Sequence, residues 1–406
     1  MRFNIITEIA LLSVAMFTAL ASNGDNMPYL TRVLSYDPSP GQFINEYPPC
    51  AAGDDYATVL KRAENILSGG IEVEEVELPD GTLISDTTLY YNKGLVCLGG
   101  YGGSVTVAFD HPVINVAGAP DFEIFGNAFV ADGTDAGGSS EPGIVLVSVD
   151  VNGNGLADDP WYELAGSERF KSTTQQNFTI TYYKPAPDKP VVGATRQIID
   201  KEHIKWESND DDPDRRLGYY ARLQVHNHSY WPLWLPDDST VMVRTGERLP
   251  RNFEAYGTMT IQRFFDYGYV DNKPSRVLAS VGDDYNTGVY SDGLDIDWAI
   301  DDSGQHVYLP YIDFIKVYTG INQYSSSLGE TSTEVAGGVD FHPNAVLEWQ
   351  PGDVNGDRSV NVADVNAVLS MMLEERGVPA TADINHDGFI NVADVNLILS
   401  IILEGA

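Results

Sequence analysis

From residue 353 to residue 394 the chain writes one twelve-residue loop twice, thirty positions apart, and follows each copy with a helical pattern. The first copy runs Asp353-Val-Asn355-Gly-Asp357-Arg-Ser359-Val-Asn361-Val-Ala-Asp364. The second runs Asp383-Ile-Asn385-His-Asp387-Gly-Phe389-Ile-Asn391-Val-Ala-Asp394. Side-chain oxygens fall at positions 1, 3, 5, 9 and 12 of both, and Ser359 and Phe389 offer backbone carbonyls at position 7. A hard cation that takes six or seven oxygens at about 2.3–2.6 Å needs this spacing. Two Ca2+ ions are therefore expected, one held by each set of six residues. Behind the loops come Val365, Val368, Leu369, Met372 and Leu373, then Val395, Ile398, Leu399, Ile402 and Leu403. That is the apolar seam of an amphipathic helix. Each unit is thus a calcium loop with one helix, lacking the entering helix of a full EF-hand.

Two such units in tandem resemble the type I dockerin, over residues 352–406. The resemblance implies a small α-helical module that docks its protein onto a cohesin-type scaffold once calcium is bound. The chain departs from the family's pattern in two respects. Arg358 replaces the position-6 Gly that eases the turn of the first loop, which implies a weaker first site. The recognition pair at positions 10 and 11, usually of Ser/Thr type, is Val362-Ala363 and Val392-Ala393 here. Their identity in the two copies implies a partner that binds in either orientation. The plainer alternative is a calcium-folded C-terminal cap with no partner. A unit this small has little core of its own, so its folding is expected to depend on the metal.

At the other end, Arg2, the apolar run from Ile9 to Leu20 and the triplet Ala19-Leu20-Ala21 read as a signal peptide over residues 1–21. No later stretch approaches the roughly 20 apolar residues that span a bilayer. The expectation is a secreted or extracellular protein without a transmembrane segment, held at a cell surface through the dockerin. Net charge is −35, from 59 acidic against 24 basic residues. Only Arg358 and Arg376 are basic after residue 350, yet most of the acidic excess lies before it. This excludes nucleic acid, which demands basic tracts. The two cysteines, Cys50 and Cys97, suit one structural bridge in an exported protein, and a thiol nucleophile is less expected because Cys97 lies in an apolar run.

Residues 22–345 form the large domain, joined to the dockerin by a linker over 346–351. One amphipathic helix is expected over Asp55–Leu67. Otherwise short apolar or alternating runs are broken by Gly, Asp, Asn and Pro. They include Ser104–Phe109, Phe122–Phe125, Ile144–Val149, Phe178–Tyr183, Val241–Arg244, Met259–Phe264 and Phe314–Tyr318. The fold class expected is mainly β, a sandwich followed by the small helical module. The phrases Asp121-Phe-Glu123-Ile-Phe125-Gly-Asn127, Ser139-Ser-Glu141-Pro-Gly, Trp161-Tyr-Glu163 and Leu294-Asp295-Ile-Asp297-Trp are similar to a family of bacterial cell-surface proteins of unassigned function. The pattern also resembles galactose-binding-like jelly rolls, which implies early strands paired with late ones.

Three further groups of residues bear on chemistry. The phrase Asp150-Val-Asn152-Gly-Asn154-Gly-Leu156-Ala-Asp158 repeats the calcium spacing, with Gly155 at the sharp turn. A third Ca2+ is expected there, with Glu163 or another segment replacing the acid missing at position 12; an empty Asx-rich turn is the alternative. Tyr230, Trp231 and Trp234 cluster beside His226 and His228, and flat aromatic faces hold sugar rings, although such rings are more often core. Paired acids are abundant, among them Asp295 with Asp297, and Glu141 is the one weak catalytic candidate, at a loop-to-strand junction. No nucleophile elbow, zinc-protease helix, phosphate loop or dinucleotide fingerprint is present. The expected function is carbohydrate or surface-ligand binding in polysaccharide breakdown. The alternatives are a glycoside hydrolase or polysaccharide lyase, and an envelope-assembly or nutrient-capture protein.

Overall fold

Strand alternation sets the architecture. In Ser104–Ala108 the side chains of Val105 and Val107 point into the main core, and in Phe314–Thr319 those of Ile315 and Val317 do the same. Ser104, Thr106, Lys316 and Tyr318 therefore face the other side of the sheet, because successive residues alternate. The computed structural model describes residues 26–404 apart from 70–73, 78–82, 87–93, 187–197, 224–227, 258, 276–288, 326–328, 348, 357–358 and 375–380. The expected signal peptide, His226 and Asp357 with Arg358 lie outside the described residues.

Six antiparallel strands make the first sheet, in the order Arg32–Asp37, Ser104–Ala108, Phe314–Thr319, Gly143–Ser148, Trp161–Leu164 and Ala299–Ile300. Each fully buried Val or Ile on its inner face contributes about 1.5–3 kcal/mol. That face is closed by helix α1, Tyr56–Leu67, which buries Val59, Ala63 and Leu67. Asp55 starts α1 by accepting the Thr58 N–H at 2.7 Å, an N-cap bond. A second antiparallel sheet of four strands has the order Leu217–Leu223, Ile198–Ser208, Gln175–Tyr183, Val241–Arg248. It encloses its own core of Phe178, Ile180, Tyr182, Ile204 and Trp206. The hydroxyls of Tyr101 and Tyr318 join the two sheets by donating to the Glu247 carbonyl at 3.0 and 3.3 Å.

Early segments pair with late ones, as expected. Phe122–Phe125 pairs with Gly337–Asp340, Val96–Cys97 with Glu334–Val335, and Val113–Ile114 with Tyr311–Ile312, all antiparallel. The large domain is mostly β-strand, and each of the expected strands and the helix is present. Cys50 and Cys97, which sequence left open to a bridge, are not joined. Both are thiols: Cys97 is buried with Sγ 2.9 Å from Ser332 Oγ, and Cys50 packs at the rim of the main core.

The C-terminal unit adds helices α2, Val362–Glu374, and α3, Val392–Glu404. Their shared core is Val354, Val365, Val368, Ala382, Val395 and Ile398. No helix among the described residues is long and apolar enough to cross a membrane.

Candidate calcium loops, partner face and ligand groove

The two repeats share one hydrogen-bond frame. Asp364 Oδ1 accepts the N–H groups of Val354 and Asn355 at 2.9 and 3.2 Å, and its Oδ2 accepts Asn361 N–H at 2.8 Å. Asp394 does the same with Ile384 and Asn385 at 2.9 and 3.3 Å and with Asn391 at 2.9 Å. Asp353, Asp364, Asp383 and Asp394 are all buried. The carboxylates of Asp364, Asp383 and Asp394 accept backbone N–H groups, and buried carboxylates held in this way suit a cation. Asn361 and Asn391 Oδ1 accept the N–H groups of Ala363 and Ala393, both at 2.8 Å, so the position-9 side chains cap α2 and α3. Position 9 commonly reaches calcium through water.

The seam expected on each helix is only half buried. Val365 and Val368 pack inward, as do Val395 and Ile398. Val362, Leu369 and Leu373 stand out in a row, 60%, 39% and 85% exposed; Val392, Leu399 and Leu403 match them at 59%, 38% and 76%. Residues at i, i+7 and i+11 lie along one face of a helix. The stripe therefore divides into a core line and an outward apolar line, the same in both copies.

The loop at Asp150 reproduces the second repeat almost bond for bond. Asp150 accepts Asn154 N–H at 3.0 Å and Gly155 N–H at 2.7 Å, where Asp383 accepts Asp387 at 3.1 Å and Gly388 at 2.7 Å. Asn152 accepts Asn154 N–H at 3.0 Å, and Asn154 accepts Leu156 N–H at 2.7 Å. The position-6 glycines have φ of +74° at Gly155 and +83° at Gly388, a region that side chains disfavour. The role of position 12 falls to Asp159, which accepts the Val151 N–H as Asp394 accepts that of Ile384. Burial first, then the charges of Asp150 and Asp158, push the Asp159 carboxyl up. Glu163 takes no part in this loop. It is turned to Arg169, whose Nε lies 3.2 Å from Glu163 and 2.9 Å from Glu247.

Glu141 meets two partners that sequence gave no reason to join to it. Its carboxyl, Asp271 and Glu334 place one oxygen each within 4.8 Å of one another, with Asp271 and Glu334 buried. Asp271 accepts the N–H groups of Asn127 and Glu334 at 2.8 and 2.9 Å. Burial raises all three carboxyls, and the Glu141 charge raises the other two further. Such a trio shares protons or surrounds a hard cation.

The aromatic cluster divides. Tyr230 and Trp231 are buried in the second core, and the Tyr230 hydroxyl accepts the Leu223 N–H at 3.2 Å, so neither ring face is open to a sugar. Trp234 stacks one face on Tyr36 at 5.8 Å and borders a groove of about 390 Å³. Tyr56, Ser35, Asp37, Ser104 and Lys316 share the lining with apolar Pro38, Pro232 and Leu235. Register explains how they meet: Ser35 pairs with Thr106, Thr106 with Lys316, Lys316 with Leu146, and Leu146 with Glu163, one outward row across the first sheet. Asp295 and Asp297 are elsewhere, Asp295 capping a short 3-10 turn through the Asp297 N–H.

Residues 351–403 match the family model of the dockerin type I domain. The C-terminal unit is a dockerin. No curated protein matches the chain.

Proposed function

We propose that this chain is a secreted, dockerin-bearing accessory protein of polysaccharide breakdown, with a jelly-roll-like sandwich as its carbohydrate-binding part. Calcium in the two C-terminal loops folds α2 and α3, and the folded pair docks to a cohesin-type scaffold. The observation that carries this reading is the matched outward rows, Val362, Leu369 and Leu373 against Val392, Leu399 and Leu403. Two equivalent apolar rows beside the recognition pairs Val362-Ala363 and Val392-Ala393 suit one partner in two orientations. A third Ca2+ is assigned to Asp150, Asn152, Asn154, the Leu156 carbonyl, Asp158 and Asp159. The groove at Trp234 supports the carbohydrate role, since its volume lies in the range of small-ligand sites.

A glycoside hydrolase acting through Glu141 has less support, because Glu141 lines neither that groove nor the one between Tyr308 and Trp349. The test has two arms on the full chain. Calorimetry against a cohesin module in calcium and in chelator reads docking, and depletion by a panel of insoluble polysaccharides reads the sandwich. Binding to a cohesin that survives chelation, or retention on no polysaccharide, would each remove its half of the proposal.

A further inference from the structure

Lys316 is the one basic residue lining the Trp234 groove, and its surroundings are unusual for a chain with net charge −35. Its ammonium lies 4.0 Å from the centroid of the Trp161 ring, a cation–π contact. Among the described residues it has no carboxylate partner. The nearest acid of the lining, Asp37, is already engaged: Arg244 grips it with two nitrogens at 2.8 and 2.7 Å. Burial alone pushes the Lys316 ammonium down from its ordinary value, with no acid nearby to oppose the fall. A half-buried cation left without a counter-charge, where acids outnumber bases more than two to one, is available to a ligand's anion.

The remaining lining has the chemistry of a sugar site. Trp234 and Tyr56 supply aromatic surface, and the Tyr56 ring is fixed where its hydroxyl accepts the Tyr36 N–H at 3.1 Å. Ser35, which donates to Thr106 Oγ1 at 2.8 Å, and Ser104 supply small polar groups on the sheet floor. Asp37 can accept sugar hydroxyls without repelling an anion, because Arg244 offsets its charge.

We propose that the groove binds an acidic saccharide, a uronate-type unit whose ring lies against Trp234 and Tyr56 and whose carboxylate meets Lys316. This rests on the reading of the groove as a carbohydrate site and narrows it to one class of sugar. A charge-assisted contact of this kind is worth about 1.5–3 kcal/mol, so its loss weakens binding roughly 10- to 100-fold.

The test is calorimetry on the full chain with trigalacturonate and with the same trisaccharide fully methyl-esterified. Wild type is expected to prefer the acid form, Lys316→Met to lose that preference while still binding the ester, and Trp234→Ala to weaken both. Near-UV circular dichroism on each variant confirms the fold. Equal binding of acid and ester by wild type, or an acid preference that survives Lys316→Met, overturns the acidic assignment but leaves a neutral sugar site. Binding of neither trisaccharide overturns the assignment, and the insoluble panel then decides whether any carbohydrate reading stands.

Discussion

The indole N–H of Trp349 donates to the carbonyl oxygen of Asp353 at 2.7 Å, tying the linker to the first ligand of the first calcium loop. The same loop touches the large domain at Gly356, where a Cβ would lie 2.6 Å from the Tyr308 ring. Ordering of this loop by calcium should therefore be felt at Trp349. We expect calcium to shift the tryptophan emission of the full chain, and Trp349→Phe to remove most of that shift. A fluorescence titration of both proteins checks it. An undiminished shift in the variant would place the reporter elsewhere.

Asp394 is the residue on which the second repeat turns, since its carboxylate satisfies three N–H groups and stands at position 12. Asp394→Ala leaves those half-buried donors to water, at about 1 kcal/mol each. Because Val365 and Val368 share one core with Val395 and Ile398, losing one loop should loosen both helices. The expected outcome is calcium affinity reduced by more than about tenfold, with helical circular dichroism falling at low calcium. Asp364→Ala should do likewise if Arg358 does not disable the first loop. An unchanged signal in Asp364→Ala would show that the first site contributes little.

Much of this was legible because local pattern governed it. The twelve-residue spacing, the Asp55 cap of α1 and the alternation of Val105 with Val107 each act within a few residues. What sequence hid was assembled at long range. Glu141 meets Asp271 and Glu334 only because the fold brings distant segments together, and nothing near any of the three announces the others. Trp231 and Trp234 are three positions apart and look alike in sequence. The turn between them buries one and leaves the other at the groove. Asp159 accepts the Val151 N–H two residues before position 12, which a template with fixed spacing misses. One signal was overlooked: Lys316 is the lone charge in an otherwise uncharged outward-inward strand, Phe314–Thr319.

The Asp150 loop offers a separate reading of calcium in the large domain. A ligand bound only by the folded state adds about 2.7 kcal/mol at a hundred times its dissociation constant. Chelator should therefore lower the thermal midpoint of the β domain as well as unfold the dockerin. Asp150→Ala and Asp159→Asn should each abolish the large-domain shift, whereas Glu163→Gln should preserve it. Differential scanning calorimetry resolves the two transitions. Retention of the shift in Asp159→Asn would return the twelfth-position role to another residue.

Acidity should stabilise this protein against heat, and the Glu163–Glu247 pair gives the reason. Burial, then the charge of Glu247, pushes Glu163 up to about 8. Burial likewise pushes Glu247 up to about 7 against the opposing help of Gln176 and Arg169. The phenols of Tyr101, Tyr269 and Tyr318 that feel this pair are all raised and stay neutral. An unfolded glutamate titrates near 4.3, so between that value and the folded ones the native state binds more protons. Stability from the pair is thus full below the unfolded value and is lost as pH rises through about 7 and 8. Buried Asp121 and Glu330, raised to about 7 and about 8, add in the same direction. The thermal midpoint of the large domain should fall from pH 5 to pH 8, and Glu247→Gln should flatten that fall by leaving Arg169 to Glu163 alone. Thermal scans at three pH values on both proteins decide it: parallel declines would acquit the pair and assign the slope to the other buried acids.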